Sequence, residues 1–157
     1  MAKLNQPLTF QNGGKVNNRF VMPPMLTNSG KDGYATQDTI DYYGAHDKSG
    51  GMIITEYTYV SENGGPALTW KEGREQLASY DDRFVPQLAK VAQAIKKSGN
   101  KAIMQIAHTG REANFRAMQG KKVYAPSEID YPFLPYKVHE FTDEQVKQRE
   151  CQEVCVN

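Results

Sequence analysis

The sequence predicts an α/β fold, a layer or barrel of parallel strands, and three observations predict it. Three short apolar runs, residues 19–22, 52–56 and 101–106, have strand length and are separated by connections long enough to hold a helix. The middle run, Met52-Ile53-Ile54-Thr55-Glu56, reads as continuously apolar, the mark of a strand buried on both faces. Both intervening segments carry helix signals, and strand–helix–strand order implies right-handed parallel crossovers. At 157 residues the chain is one domain by length, under two thirds of the roughly 250 residues of a complete (β/α)8 barrel.

Each element has a local reason. Residues 9–16 place Gly13-Gly14 between two short strand-like pieces, which predicts a hairpin. Arg19–Met22 is a strand that Pro23-Pro24 must end, because neither proline can donate to a ladder. Thr36–Lys48 reads as a helix with Thr36 as N-cap and Gly50-Gly51 beyond its end. A glycine-rich loop surrounds Pro66. Phe84, Leu88, Val91, Ala92 and Ile95 then recur at helical spacing, with Gly99 as the stop. Lys101–Ile106 is the third core strand. Residues 107–141 hold Pro126, Pro132 and Pro135 and show no helical pattern, which predicts one long loop. Thr142-Asp143-Glu144-Gln145 has the form of a capping box and should open a further helix. The tyrosines Tyr42 and Tyr43 read as packing residues of the first helix.

Composition narrows the function classes. Lysine plus arginine total 19 against 18 aspartates plus glutamates, a net charge of +1. That balance predicts no nucleic-acid partner and no polybasic membrane surface. No apolar run approaches the roughly 20 residues a bilayer span needs, and the N-terminus lacks a signal peptide's apolar stretch. A cytoplasmic location is expected. Cys151 and Cys155 lie one helical turn apart, but two thiolates without further ligands make a poor zinc site, so no metal is expected.

Two motifs carry a resemblance. Asn18-Arg19-Phe20-Val21-Met22-Pro23-Pro24-Met25 and, about two βα periods later, Met104-Gln105-Ile106-Ala107-His108-Thr109-Gly110-Arg111 together resemble the N-terminal portion of the Old Yellow Enzyme family. These are FMN-dependent NADH:flavin oxidoreductases or NADH oxidases built on a TIM barrel. The resemblance implies the N-terminal part of a TIM (β/α)8 barrel with a bottom-capping β-hairpin, the barrel incomplete. It divides the single domain into a cap hairpin (1–18), the first βα units (19–148) and an atypical tail (149–157).

The resemblance also implies a site at the C-terminal ends of the strands. Pro23, Pro24, Met25, Leu26 and Gln105 match positions that contact FMN in the family, and Tyr57 stands where a flavin neighbour sits. Pro24 and Met25 offer apolar contact. The Gln105 carboxamide donates and accepts at once, which suits either the paired C=O and N–H groups of a flavin or a buried backbone group. The implied reductant is NADH or NADPH, and the implied partner a small-molecule electron acceptor such as an activated alkene or quinone. No catalytic residue is assigned. His108 reads as a structural hydrogen-bond partner, Arg111 as a loop anchor or interface contact, and Pro126-Ser127 as structural.

There are departures from the family. Tyr57 replaces a residue that is commonly small, so it should crowd the flavin or turn away, and Asn28 replaces an aromatic found in one bacterial subgroup. The family's His-x-x-His or His-x-x-Asn pair and its phosphate-binding glycines and arginines have no counterpart, and neither Gly-x-Gly-x-x-Gly nor a P-loop occurs. Beyond Gln148 the tail carries little of the family's helix-then-strand pattern, which reads as a frameshift or premature stop. Two alternatives therefore stand beside the oxidoreductase reading: a non-catalytic fragment, and one half of a split barrel. On topology, the open strand edges should drive self-association or call for a complementing chain.

Overall fold

The computed structural model describes residues 3–65, 75–114, 121–129, 132–134 and 136–147. The Pro66 loop, Pro135, Gln148, the tail and both cysteines lie outside the described residues.

Strands β1 (Leu8–Thr9) and β2 (Lys15–Val16) form the predicted antiparallel hairpin. Gly13 turns it at φ 85°, and the Phe10 N–H donates to the Gly14 carbonyl at 2.8 Å. Strand β3 ends at Met22 as predicted, where the prolines follow, but begins only at Val21, because the Arg19 N–H donates to the Leu4 carbonyl and the Phe20 N–H to Asn18 Oδ1 instead of to a ladder. Helix α1 (Gln37–Ala45) starts where its cap signal placed it: the Thr36 hydroxyl accepts the Thr39 N–H, and Thr39 returns the bond to the Thr36 N–H.

Strand β4 (Met52–Tyr59) runs three residues beyond the predicted end. Strand β5 (Leu77–Ala78) was not predicted; two residues carry no readable period. Helix α2 (Val85–Lys96) tolerates Pro86 in its first turn, where no intrahelical donor is needed, and Gly99 at φ 85° closes the turn after it. Strand β6 (Lys101–Ala107) follows.

Every ladder in the central sheet is parallel. β4 pairs with β6 along one edge; along the other it pairs with β3 through Met52 and Ile53, then with β5 through Thr58 and Tyr59. β5 thus takes over the edge that the prolines force β3 to leave. The architecture is α/β, with an open parallel sheet and no closed barrel among the described residues. Helices α1 and α2 cover one face. Tyr43, Ile53, Leu77, Val91 and Ile95 are buried there, with Met22, Ile40, Leu88 and Ala102 packed around them. Each fully buried aliphatic side chain contributes about 1.5–3 kcal/mol by leaving water.

The stretch from 107 to 141 is not one long loop. It contains strands β7 (Val123–Ala125) and β8 (Val138–Glu140), paired in parallel, and a turn of 3-10 helix at Gly110–Glu112. Ala113, Val123, Ala125 and Val138 make a small core of their own, packed by Leu134 and Tyr136. The Tyr136 hydroxyl lies 2.6 Å from the Arg111 carbonyl and 3.0 Å from that of Ala113, tying the return strand to the turn. At 142 the predicted cap is present: the Thr142 N–H donates to Gln145 Oε1 and the Gln145 N–H to Thr142 Oγ1. No helix among the described residues is long and apolar enough to cross a membrane.

Candidate functional site

One irregularity in β4 builds the site. Met52, Ile53 and Ile54 pair with Lys101, Ala102 and Ile103, but the next pair is Tyr57 with Gln105. Three residues of β4 therefore span what two residues of β6 span, a bulge at Thr55-Glu56. Side chains alternate across a strand, and Ile53 and Ala102 face the helices. In a regular strand Tyr57 would share the face of Ile53. The extra residue inverts the alternation and sets Tyr57 beside Gln105 on the face away from the helices. Gln105 is exposed there, and Tyr57 is half-buried.

A bulge releases backbone groups from the ladder, and a buried N–H left without a partner is costly. Helix α1 supplies that partner: the Glu56 N–H donates to the Tyr43 hydroxyl at 2.6 Å. Tyr43 is fully buried, and burial pushes its hydroxyl well above the ordinary range for tyrosine. It is more than the packing residue predicted.

The loop after β3 reaches the same end of the sheet. Pro23 is exposed and Pro24 half-buried, while Met25 and Leu26 stand 55% and 43% exposed despite their apolar side chains. Three anchors hold this loop. Asn28, at φ 50°, accepts a hydrogen bond from Gln76 Nε2 at 2.7 Å. Gly30 and Glu75 exchange backbone hydrogen bonds at 2.9 and 3.0 Å, so closely that a Cβ at Gly30 would lie 2.6 Å from the Glu75 oxygen. The third anchor is Glu56. Its Oε1 accepts the Thr27 hydroxyl at 2.6 Å and its Oε2 the Thr27 N–H at 3.1 Å.

Glu56 is fully buried. Burial raises its carboxyl above the ordinary value, opposed by hydrogen bonds from the Thr27 hydroxyl, the Thr27 and Asn28 backbone and Tyr43. Sequence reasoning placed Glu56 at a strand end and gave it no role. The available signal was a carboxylate inside an apolar run, which needs partners wherever it is buried.

His108 and Arg111 lie beyond the end of β6. His108 Nδ1 accepts the Gly110 N–H at 3.0 Å, which puts the ring proton on Nε2 in the neutral form. Its ring packs so tightly on Gly64 that a Cβ there would approach to 2.3 Å, and it meets Phe141 edge-on at 5.4 Å. Arg111 is exposed and pairs with Glu112 at 3.8 Å. Among the described residues no three His, Cys, Asp or Glu side chains cluster to hold a metal ion.

The chain was compared with known proteins. Residues 3–155, running past Gln148, match the NADH:flavin oxidoreductase / NADH oxidase family. An uncharacterized oxidoreductase of Streptococcus pyogenes is 36% identical over 94% of this chain and 36% of its own length. The NADH:acrylate oxidoreductase of Vibrio harveyi is 44% identical over 73% of this chain and 11% of its own. Among solved structures, Old Yellow Enzyme from Pichia sp. AKU4542 superposes with a TM-score of 0.81 at 25% identity, over 96% of this chain and 40% of that one. The chain thus spans well under half the length of each.

Proposed function

The chain belongs to the NADH:flavin oxidoreductase / NADH oxidase family, the Old Yellow Enzymes, and on that premise we propose that it supplies the flavin-facing first part of a TIM-barrel oxidoreductase that takes FMN. The observation that carries this reading is the bulge, which brings Tyr57 and Gln105 together on one face at the strand end to which the Pro23–Leu26 loop is anchored.

The residues fit such a group chemically. Met25 and Leu26 hold exposed apolar surface that a flat ring system would cover. The exposed Gln105 carboxamide can donate and accept toward a ring edge that carries both kinds of group. The Tyr57–Gln105 register supports the crowding alternative, in which Tyr57 narrows the space beside the ring. When bound, FMN supplies hydride exchange between NADH or NADPH and a small-molecule acceptor. The family description favours NADH, and a relative named for acrylate favours an activated alkene. The assigned FMN contacts are Pro23, Pro24, Met25, Leu26, Tyr57 and Gln105.

A second reading concerns partners. Val21 is 51% and Ile103 39% exposed, on the sheet face that carries Gln105. Exposed apolar residues on the two strands that flank β4 call for cover, which favours completion by further strands, from a second copy or a complementing chain.

The test is an FMN titration of the purified chain by flavin fluorescence quenching, with Gln105→Ala alongside. Binding at about micromolar, roughly −8 kcal/mol, weakened in Gln105→Ala, supports the reading. No binding at high micromolar FMN, by the chain alone or concentrated enough to self-associate, refutes it in favour of a non-catalytic fragment.

A further inference from the structure

We propose that Glu56 is a positioning residue, whose buried side chain fixes the Pro23–Leu26 segment against the bulge of β4 and so sets the apolar edge offered to the flavin. The proposal rests on the flavin reading above.

The hydrogen-bond network argues for it. Glu56 belongs to β4 and Thr27 to the loop, so the two bonds between them join elements 29 residues apart in sequence. Thr27 immediately follows Leu26, so fixing its backbone N–H and its hydroxyl leaves the preceding residue little freedom. The network continues inward. Thr27 Oγ1 lies 2.6 Å from Ser29 Oγ, which lies 2.7 Å from Thr39 Oγ1, which accepts the Thr36 N–H at 3.2 Å.

The direction of this chain is set at its Glu56 end. The Thr27 hydroxyl spends its one hydrogen on Glu56 Oε1, so it must accept from Ser29, and Ser29, its own hydrogen spent in turn, must accept from Thr39. The Thr36 hydroxyl meanwhile donates to the Ser29 carbonyl at 2.6 Å, a second tie between loop and helix cap. The loop is therefore held between the N-terminus of α1 and the bulge of β4, with the carboxylate as the common terminus. An apolar residue at 56 would leave the Thr27 N–H and the end of the hydroxyl chain without their acceptor. Glutamine would keep an oxygen for the Thr27 N–H, but its amide could meet Thr27 Oγ1 only by donating, which would force the hydroxyl chain to reverse toward Ser29 and Thr39.

The experiment combines site-resolved amide hydrogen exchange with FMN titration on the full chain, for wild type, Glu56→Gln, Glu56→Leu and Thr27→Val. Hydrogen bonds to a charged acceptor are strong enough that Glu56→Leu should speed exchange across residues 25–29 by about tenfold or more. The amides of β6 serve as reference and should change less than about threefold for a local opening. Glu56→Gln, which keeps one of the two acceptors, and Thr27→Val, which keeps the Thr27 N–H, should both fall between wild type and Glu56→Leu. FMN affinity should follow the same order, weakening about tenfold in Glu56→Leu.

Unchanged protection at 25–29 in Glu56→Leu overturns the proposal. So does faster exchange spread equally over β4 and β6, which would mark Glu56 as a general stability residue. Local opening with unchanged FMN affinity overturns the positioning role. If Glu56→Leu does not fold, Thr27→Val decides by the same criteria. Failure of wild type itself to bind FMN sinks the flavin reading, and the exchange pattern then judges the anchor alone.

Discussion

Replacing Tyr43 by phenylalanine isolates the cost of the bulge. The ring stays: it is fully buried, and its edge-on contact with Tyr42 at 5.2 Å does not involve the hydroxyl. What is lost is the acceptor for the Glu56 N–H, 2.6 Å away. A buried donor deprived of its partner costs about 1–3 kcal/mol, and a loss of that size is expected. That is a large fraction of a total stability of about 5–15 kcal/mol. For a chain of this size it corresponds to a Tm lower by roughly 2–12 °C. Urea unfolding followed by circular dichroism gives the free energy, and an unchanged m-value would show that neither end state has altered its exposed surface. A loss below about 0.5 kcal/mol, within the scatter of neutral substitutions, would refute the reasoning, because it would mean the Glu56 N–H does not depend on Tyr43.

Three further outcomes follow from particular contacts. Gly33 sits at φ 79°, and a Cβ there would lie 2.7 Å from Ala78 Cβ and 2.8 Å from the Tyr59 hydroxyl, so Gly33→Ala should cost about 2–5 kcal/mol from strain plus overpacking; urea midpoints measure it, and a neutral result refutes it. Ile95 is fully buried between the helices and the sheet, so Ile95→Ala should destabilise by about 2–5 kcal/mol in the same assay, and a loss under about 1 kcal/mol would mean the site collapses around the gap. Burial holds the Glu56 carboxyl above its ordinary value of 4.5, so the folded state binds the proton more tightly than the unfolded chain. Its contribution is therefore complete below that value and is lost as pH rises through the raised one, and the stability of wild type relative to Glu56→Gln should fall from pH 4 toward neutrality; a difference that grows with pH would contradict the sign.

What the sequence made legible was local. Thr36 capped α1, Thr142 and Gln145 formed the reciprocal cap, Gly99 closed the turn after α2, and Pro23 stopped β3, because each acts through its own backbone or that of a residue three positions away. The strands that escaped notice, β5, β7 and β8, have two or three residues each, too short to show a period, and only their partners stabilise them. The prolines that suggested an uninterrupted loop after β6 in fact flank these strands. Pro23, Pro24, Met25, Leu26 and Gln105 were readable as a group through the resemblance. That Tyr57 shares a face with Gln105 was not, because a bulge is an agreement between two strands and leaves no mark on either one alone.

The bulge also resolves why a carboxylate can occupy an otherwise apolar strand. In a regular β4 the alternation that puts Ile53 against the helices would put Glu56 on the opposite face, beside Ile54 and close to the Gln105 position. A charge there would sit in the middle of the surface proposed for an apolar ring. The extra residue does two things at once: it turns Tyr57 onto that surface in place of Glu56, and it frees Glu56 to meet Thr27 at the sheet edge and Tyr43 on α1. Neither half works without the other. A bulge without Tyr43 would strand a buried N–H, and a glutamate without Thr27 would bury a carboxylate lacking its principal donors. The three residues come from a loop, a helix and a strand, and each supplies what the backbone of another lacks. Glu56 is therefore best understood as the polar residue that lets the face beside it be apolar.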